Sequence, residues 1–498
     1  MQTSFRQALE KYQFILLSAI MLVAVLLRCY RLPDIPFSHD ELSAWLRGSN
    51  PNLVSLFQKG ILTDVHPPAV QLFQYFWLQV AGEDTLWFKL PFLMIGLASL
   101  LLFYKAAKLG LNTTTALLAT AFLATHQFHI TYSQIARPYI VGFMVVVSIY
   151  YFILRIQLQK GRIWLNVVAL GGSLLLAASV HYFSLLTATL LFLSGFLLLK
   201  PSQYKYLLVA GAGSLLCWLP QLPIFIKHLT VGGLGWLPPP GPSFFPDLLA
   251  YLFHYSTSNI VFWLLFLLTG LLLFSGYRML FKKLWWLLLV VMVIPAVVGY
   301  AYSVYKTPVL QPSVLFFSFP FFVLVLTGLL SRLPVKWVVV SLILIVGLNT
   351  FTLFHNRNHY HIMRHQRVGV LVDRGMYWTG KLSKDSVFVV GNESEKFYNY
   401  YREKEATTLP DWTIYNTQES LLQFIDSVRA VDKPYLVLGP SIPENYKALS
   451  LKYYPKVLSV EHYYEGSLYV LSKGDTTVRD NYYSHYSHKP LNLNMQGK

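Results

Sequence analysis

WLNVVALGGSLLLAASVHYFSLLTATLLFLSGFLLL, residues 164–199, is a long apolar stretch without a charged side chain. A helix needs about 20 apolar residues to cross the roughly 30 Å of hydrocarbon in a bilayer, so this stretch is long enough for two spans. No polar loop separates the two halves, and His181 lies near the middle. We therefore predict one span at 164–180 and another at 183–199, with the chain turning back at His181.

The rest of the chain also has the composition of a membrane protein. Of its 498 residues, 55% are hydrophobic and 13% are charged. Two cysteines, Cys29 and Cys217, lie in or beside apolar runs and indicate no disulfide framework. We predict about eleven transmembrane helices in all, of which the others lie at 13–29, 88–107, 114–131, 138–154, 207–225, 258–276, 285–302, 313–330 and 336–354.

The basic residues indicate how the chain is oriented. The formal net charge is +17, but Lys and Arg lie in short clusters between apolar stretches, as loop charges of a membrane protein do. We therefore predict contacts with membrane lipid and none with nucleic acid. The clusters are Arg6 and Lys11; Lys105 and Lys108; Arg155, Lys160 and Arg162; Lys200 and Lys205; Arg278, Lys282 and Lys283; and Arg332 and Lys336. Because these occupy alternate loops, the positive-inside rule places the N-terminus in the cytoplasm and residues 355–498 outside.

Residues 355–475 have the mixed composition of a globular domain. Their pattern predicts strands at SVFVVG (386–391) and YLVLGP (435–440), helices at SEKFYNYYREK (394–404) and TQESLLQFIDSVRAV (417–431), and a hairpin at VLSVEHYYEGSLYVLSK (457–473). We predict a small extracytoplasmic α/β domain that follows a transmembrane domain at 1–354. Residues 476–498 are polar and aperiodic, which is typical of a tail.

Acidic residues are concentrated in one predicted outward loop, residues 30–87. Only eight Asp and Glu residues occur up to residue 350, and six of them lie between positions 34 and 84. Long loops tolerate charge, which accounts for part of the clustering. A reaction site facing the bilayer surface would also gather carboxylates.

The stretch PFSHDELSAW (36–45) places two adjacent acids in this loop. Ser38 and Glu41 satisfy the S-x-x-E capping box, in which the Glu reaches back to the Ser amide and a helix follows. Asp40 is outside the box and points about 100° away from Glu41 around the helix. Asp40 is therefore either a solvated partner of the helix dipole or a base directed at a substrate, and the pair alone favours neither.

Two further segments place polar groups on the same side. TDVHPPAVQLFQYFWLQVAG (63–82) predicts a helix along the outer interface that begins after the double proline, with Asp64 and His66 at its start. His66 either contacts backbone or donates a hydrogen bond to a phosphate. YSQIARPY (132–139) places Arg137 beside the start of the next helix, where it either anchors the chain to lipid phosphate or holds an anionic oxygen of a substrate.

An outward carboxylate, an outward cation and an aromatic interfacial helix suit a lipid-linked sugar phosphate as substrate. The polyprenyl tail lies in the bilayer, the phosphate leaves and needs positive charge, and the acceptor hydroxyl needs one base. A single carboxylate opposite the leaving group gives inversion, because retention by double displacement needs a second carboxylate as nucleophile.

Three segments resemble motifs of the GT-C superfamily, in the same order and with similar spacing. The motifs are the acidic pair of the first loop, the HPP segment and the S-Q-x-A-R-x-Y segment. The three segments are HDELSAW (39–45), DVHPPAVQLFQYFWLQVAGEDTLWFKLPFLMIG (64–96) and YSQIARPYIVGFMVV (132–146). The nearest branch is the bacterial one grouped with dolichyl-phosphate-mannose protein mannosyltransferases and lipid A aminoarabinose transferases. The resemblance implies a GT-C-like membrane domain and an inverting glycosyltransferase of the bacterial inner membrane. Its donor would be a polyprenyl-phosphate-linked sugar, and its acceptor a glycan, lipid or protein.

By position, the resemblance also implies roles for individual residues. Asp40 matches the catalytic base and Glu41 its neighbour, and His66 and Arg137 match residues near the donor phosphate. Candidate substrate-binding residues are Asp64, Tyr132, Gln134, Tyr139 and His181.

The chain departs from the superfamily pattern at two places. Lys89 replaces a usual Arg, and LQPSVLFFSFP (310–320) lacks the Arg-Tyr that often opens the corresponding helix, so Lys306 becomes a substitute candidate for the donor phosphate. The loop has no D-x-D, and Asp64 with His66 supplies too few ligands for a cation. We predict neither a metal nor a cofactor.

A transporter or flippase of a lipid-linked saccharide is the main alternative. It predicts ionisable residues inside the spans or paired broken helices, whereas this chain has no acid between Asp84 and Asp247. A ligase-like enzyme would keep its chemistry in a late loop, but the loop at 226–257 has no comparable acidic cluster. A receptor domain on a membrane anchor would not need eleven spans. The sequence leaves the sugar and the acceptor open.

Overall fold

The computed structural model describes residues 2–230, 237–274, 283–392, 395–404, 412–414, 421–464 and 466–474, and these form two compact units. The membrane unit comprises residues up to 32 and residues 47–358. The C-terminal unit comprises residues 33–46 together with the described residues from 359 onward. The predicted tail at 476–498 and the loop cations Arg278 and Lys282 lie outside the described residues.

The described part of the chain up to His355 is mainly helical. Its α-helices are α1 (Gln2–Cys29), α2 (His39–Gly48), α3 (Leu53–Ser55), α4 (Ala69–Ala81), α5 (Thr85–Gly110), α6 (Thr113–Thr125), α7 (Gln127–Gln134), α8 (Pro138–Gln157), α9 (Ile163–Val180), α10 (Tyr182–Leu198), α11 (Tyr204–Trp218), α12 (Leu222–Thr230), α13 (Phe244–Leu252), α14 (Thr257–Phe274), α15 (Lys283–Tyr305), α16 (Phe319–Gly328) and α17 (Val335–His355). Short 3-10 helices lie at Leu32–Asp34, Pro201–Gln203, Leu219–Gln221 and Pro312–Phe317, and a π-helix lies at Leu56–Ile61.

Many of these helices are apolar enough to lie in a bilayer. Within the described residues, seven helical segments are long and apolar enough to cross a membrane, and α13 with the start of α14 forms one further pair, bent by 94°. Three shorter apolar helices, α6, α10 and α16, accompany them. The chain is therefore a multi-pass membrane protein with an all-α membrane domain, as predicted. The number of eleven spans stays a prediction.

The predicted turn at His181 is confirmed as a break between α9 and α10. His181 has an extended backbone, and its Nδ1 accepts the N–H of Phe183 at 3.0 Å. The Ser184 hydroxyl donates to the carbonyl of Ala177 at 2.6 Å, at the end of the preceding helix. Side chains thus satisfy backbone groups that the helix ends leave without a partner, which backbone in an apolar environment requires.

The C-terminal unit is a small α/β domain. Its strands are β1 (Val387–Gly391), β2 (Trp412–Ile414), β3 (Tyr435–Leu438), β4 (Lys456–Tyr463) and β5 (Gly466–Ser472), in the order β2-β1-β3-β5-β4. Its helices are α18 (His359–Arg364), α19 (Arg367–Leu382), α20 (Glu395–Lys404), α21 (Leu421–Ala430) and α22 (Glu444–Ser450), with a 3-10 turn at Lys384–Ser386. β1 pairs in parallel with β2 and β3, and β5 is antiparallel to β3 and β4.

These elements confirm the strands, helices and hairpin that the sequence predicts here. Val387–Gly391 is buried at every position, as expected of a parallel strand that is covered on both faces. Phe388 and Leu436 pack with Phe424 and Val428 of α21 in one apolar core. The continuous apolar runs of the sequence therefore lie where both faces of the sheet are removed from water.

Candidate functional site

The two adjacent carboxylates, Asp40 and Glu41, have different environments. The Glu41 carboxylate accepts the backbone N–H and the hydroxyl of Ser38, each at 2.9 Å, and the Glu41 N–H donates back to the Ser38 hydroxyl at 3.3 Å. The capping box is thus confirmed, and Glu41 is fully buried. The Asp40 side chain is 60% exposed, 3.8 Å from Nδ1 of His39. The Glu41 carboxylate therefore caps the start of α2, whereas the Asp40 side chain is exposed.

A further carboxylate, that of Asp64, lies in the membrane unit and has several hydrogen-bond and ionic contacts. The Gln71 amide donates to it at 2.6 Å and the Val65 N–H at 2.9 Å. Nδ1 of His66 is 3.3 Å from one carboxylate oxygen, and Nη2 of Arg47 is 3.5 Å from the other. We call Asp64, His66, Arg47, Gln71 and Arg137 the Asp64 cluster.

Positive charge dominates the Asp64 cluster. Burial by itself raises the pKa of Asp64, but the charge and hydrogen bond of His66 and the charges of Arg47 and Arg137 outweigh it and hold the pKa well below its usual value. Asp64 is therefore ionised near neutral pH. Two guanidinium groups and one imidazole therefore act on the same carboxylate.

Aromatic side chains continue from His66 away from the carboxylate. The rings of His66 and His181 lie 5.3 Å apart, those of His181 and Tyr139 5.8 Å apart, and those of Tyr139 and Tyr132 4.5 Å apart. Burial lowers the pKa of His181 well below its ordinary value, and the charges of His66 and Arg137 lower it further against the opposing charge of Asp64. His181 is thus a neutral imidazole.

Helix α4 connects Asp64 with the Arg137 segment. Gln71 and Gln74 lie three residues apart and so share one face of α4, and both are buried. Gln71 donates to Asp64, while the Gln74 amide donates to the carbonyl of Ala136 at 2.7 Å. Two of the three glutamines of this largely apolar helix thus fix the acid and the residue before Arg137.

A buried arginine in α1 fixes the other side of the Arg137 segment. The Arg28 guanidinium donates to the carbonyls of Leu123 at 3.4 Å and Ala124 at 2.8 Å, near the end of α6, and lies 2.7 Å from Nδ1 of His129. The Gln134 amide in turn donates to the Arg28 carbonyl at 2.9 Å. A buried charge with this many partners rigidifies the break between α6 and α7. Gln134 is fully buried, and its contact with a substrate stays a prediction.

Within the membrane unit the structure brings several of the predicted site residues together. Asp64, His66, Arg137, His181, Tyr139 and Tyr132 form one continuous group in the membrane unit. Asp40 and Glu41 belong to the C-terminal unit. Lys306 follows α15 and is exposed, and within the described residues no hydrogen bond or ion pair joins its side chain to the Asp64 cluster.

Sequence reasoning missed Arg47, Gln71 and Gln74. The signal for the glutamines was present, because VQLFQYFW (70–77) places two amides on one face of an apolar helix. Arg47 had no local signal. Within the described residues no group of three His, Cys, Asp or Glu side chains could hold a metal ion.

Comparison with known proteins identifies the fold. No family model matches the sequence, and no curated protein matches it. The apo structure of ArnT from Cupriavidus metallidurans is similar, with a TM-score of 0.57 and 11% identity over 92% of this chain and 98% of that chain. ArnT bound to undecaprenyl phosphate gives a TM-score of 0.50 and 12% identity over the same shares, 92% and 98%. These likenesses confirm the GT-C-like fold that the motifs implied.

Proposed function

We propose that this protein is an inverting glycosyltransferase of the bacterial inner membrane that uses a polyprenyl-phosphate-linked sugar on the extracytoplasmic face. The observation that carries the proposal is the group of cations, Arg47, His66 and Arg137, that acts on the buried Asp64 carboxylate in a protein with the fold of ArnT. The ArnT structure with undecaprenyl phosphate supports the same class of ligand. The acceptor is a hydroxyl of a glycolipid, a cell-envelope polymer or a protein.

The charge of the Asp64 cluster suits a departing polyprenyl phosphate. In the donor, the phosphate is a diester with one negative charge, and on transfer it becomes a monoester that gains a second. A group of cations binds the more negative state more tightly, and such differential binding accelerates the reaction. Arg137 and His66 are the proposed phosphate contacts. Asp64 holds His66 and Arg47 in place, and Gln71 in turn holds Asp64.

Asp40 is the proposed base. It takes the proton of the acceptor hydroxyl as the acceptor oxygen bonds to the anomeric carbon and the bond from that carbon to the phosphate oxygen breaks. The charge stays balanced, because the proton goes to Asp40 and the electron pair leaves with the polyprenyl phosphate. The capping bonds occupy Glu41, which leaves one carboxylate for the reaction and favours inversion.

Export of a lipid-linked saccharide is the second candidate, and the bent pair α13 and α14 is the observation that favours it. Transporters commonly place broken helices in pairs around a site at the middle of the membrane. Among the described residues there is one such broken helix, whose two halves, α13 and the start of α14, are bent by 94°.

Mass spectrometry of polyprenyl-phosphate sugars and envelope glycans separates the two functions. Cells carrying Asp40→Asn are compared with wild type and with Glu83→Gln, an exposed acid of the same loop. Glycosyl transfer predicts that the donor accumulates on the outer face and a glycan disappears in the Asp40 variant alone. A donor trapped on the cytoplasmic face would indicate export, and unchanged pools would contradict both functions.

A further inference from the structure

The segment that carries Asp40, residues 33–46, packs against one helix of the C-terminal unit, α20. Tyr400 contacts Phe37 and Trp45, with ring centroids 5.4 and 4.6 Å apart. Phe397 contacts the ring of His39 at 5.0 Å. These contacts bracket Asp40 in the chain, since Phe37 and His39 precede it and Trp45 follows it.

Polar contacts and close packing reinforce this aromatic face. The Tyr401 hydroxyl donates to the carbonyl of Phe37 at 3.3 Å. On α19, a Cβ added at Gly369 would lie 3.3 Å from the ring of Pro36, so the backbone of α19 also approaches the segment closely. Phe37 and Tyr400 are almost completely buried, at 1% and 3% exposure. The contact is thus a packed interior and not a loose surface encounter.

The short helix needs this support. α2 has 10 residues, and isolated helices shorter than about 12 residues are marginal in water even with good caps. The capping box fixes Glu41 relative to Ser38, but it does not fix the direction in which the helix points. Packing at the start of the helix helps to set that direction, and α20 supplies contacts to Phe37, His39 and Trp45.

We propose that Phe397, Tyr400 and Tyr401 of α20 are positioning residues for Asp40, so that the C-terminal domain forms part of the transfer machinery. The inference rests on the proposed role of Asp40 and extends it to a domain to which the sequence assigned no task. A base displaced by about 1 Å can lose about a hundredfold in rate. Loss of these rings therefore lowers turnover while leaving donor binding by the membrane unit intact.

The test compares Tyr400→Leu with Tyr446→Leu in the full chain. Tyr446 is the control, because its partly buried ring packs against the apolar core of the C-terminal unit, 5.0 Å from Phe424. We measure turnover of polyprenyl-phosphate sugars in labelled cells, and binding of undecaprenyl phosphate to the purified protein in nanodiscs. Tyr400→Leu is expected to slow turnover at least about tenfold without weakening binding, whereas Tyr446→Leu leaves both near wild type.

Two further variants distinguish a positioning role from simple misfolding. Tyr400→Phe keeps the ring and is expected to restore most of the turnover. In the double variant with Asp40→Asn, the Tyr400→Leu change is expected to add nothing, because the group it positions is absent. If Asp40→Asn leaves turnover intact, the proposed base is wrong. If Asp40→Asn stops turnover but Tyr400→Leu and Tyr446→Leu behave alike, only the positioning role is overturned.

Discussion

Two buried groups in this protein combine arginine with a carboxylate, and they are built differently. In the C-terminal unit, Arg374 binds Glu461 with two parallel bonds of 2.8 and 2.7 Å. Glu461 also accepts from Trp378 at 3.1 Å and from the Tyr463 hydroxyl at 2.7 Å. One cation meets one anion with good geometry, and both carboxylate oxygens are used.

The Asp64 cluster combines one carboxylate with several cations. Nη2 of Arg47 lies 3.5 Å from the carboxylate, and the charges of His66 and Arg137 act on it too. A buried pair stabilises a fold when charge and hydrogen bonds are both matched. Several cations gathered around one buried acid are an arrangement that suits an anionic ligand. The difference therefore separates a structural ion pair from a candidate site.

The largest expected effect is on the structural pair. Arg374→Met leaves Glu461 buried without its cation, and we expect the free energy of unfolding of the C-terminal unit to fall by about 3–5 kcal/mol. Amide hydrogen exchange of β5 in the full chain measures this loss. Lys473→Met, which removes an exposed contact 3.6 Å from Asp432, is the control and should change exchange little. Similar exchange in both variants would mean that the buried pair is not a main support of the unit.

The second effect is on ligand affinity. We expect Arg137→Gln to raise the Kd for undecaprenyl phosphate in nanodiscs about 10- to 100-fold, because one charged contact to phosphate is worth about 1.5–3 kcal/mol. Stability should change less, since Arg47, His66 and Gln71 still hold Asp64. Arg155→Gln is the control, because it removes the same charge at the other end of α8, and it should leave the Kd unchanged. An unchanged Kd together with a lower Tm would show that Arg137 has a structural role, like Arg374, and does not bind the ligand.

The third effect is a pH dependence of stability. The pKa of Asp64 is lowered in the folded protein, so its ionised form stabilises the fold above the unfolded pKa of about 4, and this contribution disappears as the pH falls below that value. The difference in Tm between wild type and Asp64→Asn should be largest near neutral pH and shrink in acid. A difference that does not vary with pH would show that the charge of Asp64 is unimportant.

The smallest effect concerns His181. Because burial keeps its pKa low, His181 is already neutral, and His181→Gln keeps an acceptor for the Phe183 N–H. We expect the affinity for undecaprenyl phosphate between about pH 5.5 and 7.5 to follow the wild-type profile within about twofold. A flattened profile in this variant would show instead that His181 carries a proton in the site.

The predictions from sequence succeeded where neighbours along the chain decide the structure. The capping box at Ser38 and Glu41, the break at His181 and the hairpin of β4 and β5 each follow from residues within a few positions of one another. The GT-C-like fold also followed from local motifs, through their resemblance to a superfamily. Asp64, His66, Arg137 and His181 of the candidate site each carried a local signal, and their roles stay predictions.

Contacts between distant residues were beyond the sequence. Arg47 had no motif to connect it with Asp64, and nothing in α1 indicated that Arg28 binds the carbonyls at the end of α6. The sequence also placed residues 33–46 with the transmembrane domain. In the structure they pack with the C-terminal unit, because the aromatic face of α20 covers Phe37 and Trp45.

By itself the sequence determined that the chain is rich in apolar helices and where several of them begin, because hydropathy and capping depend on residues close together in the chain. It also determined that acids and a few cations gather near the first loop. Only the tertiary structure decided that Glu41 is buried while Asp40 is exposed, that Gln71 and Gln74 connect Asp64 with the Arg137 segment, and that α20 holds the segment of Asp40. Burial and net local charge are sums over residues that are far apart in sequence, so they exist only once the chain has folded.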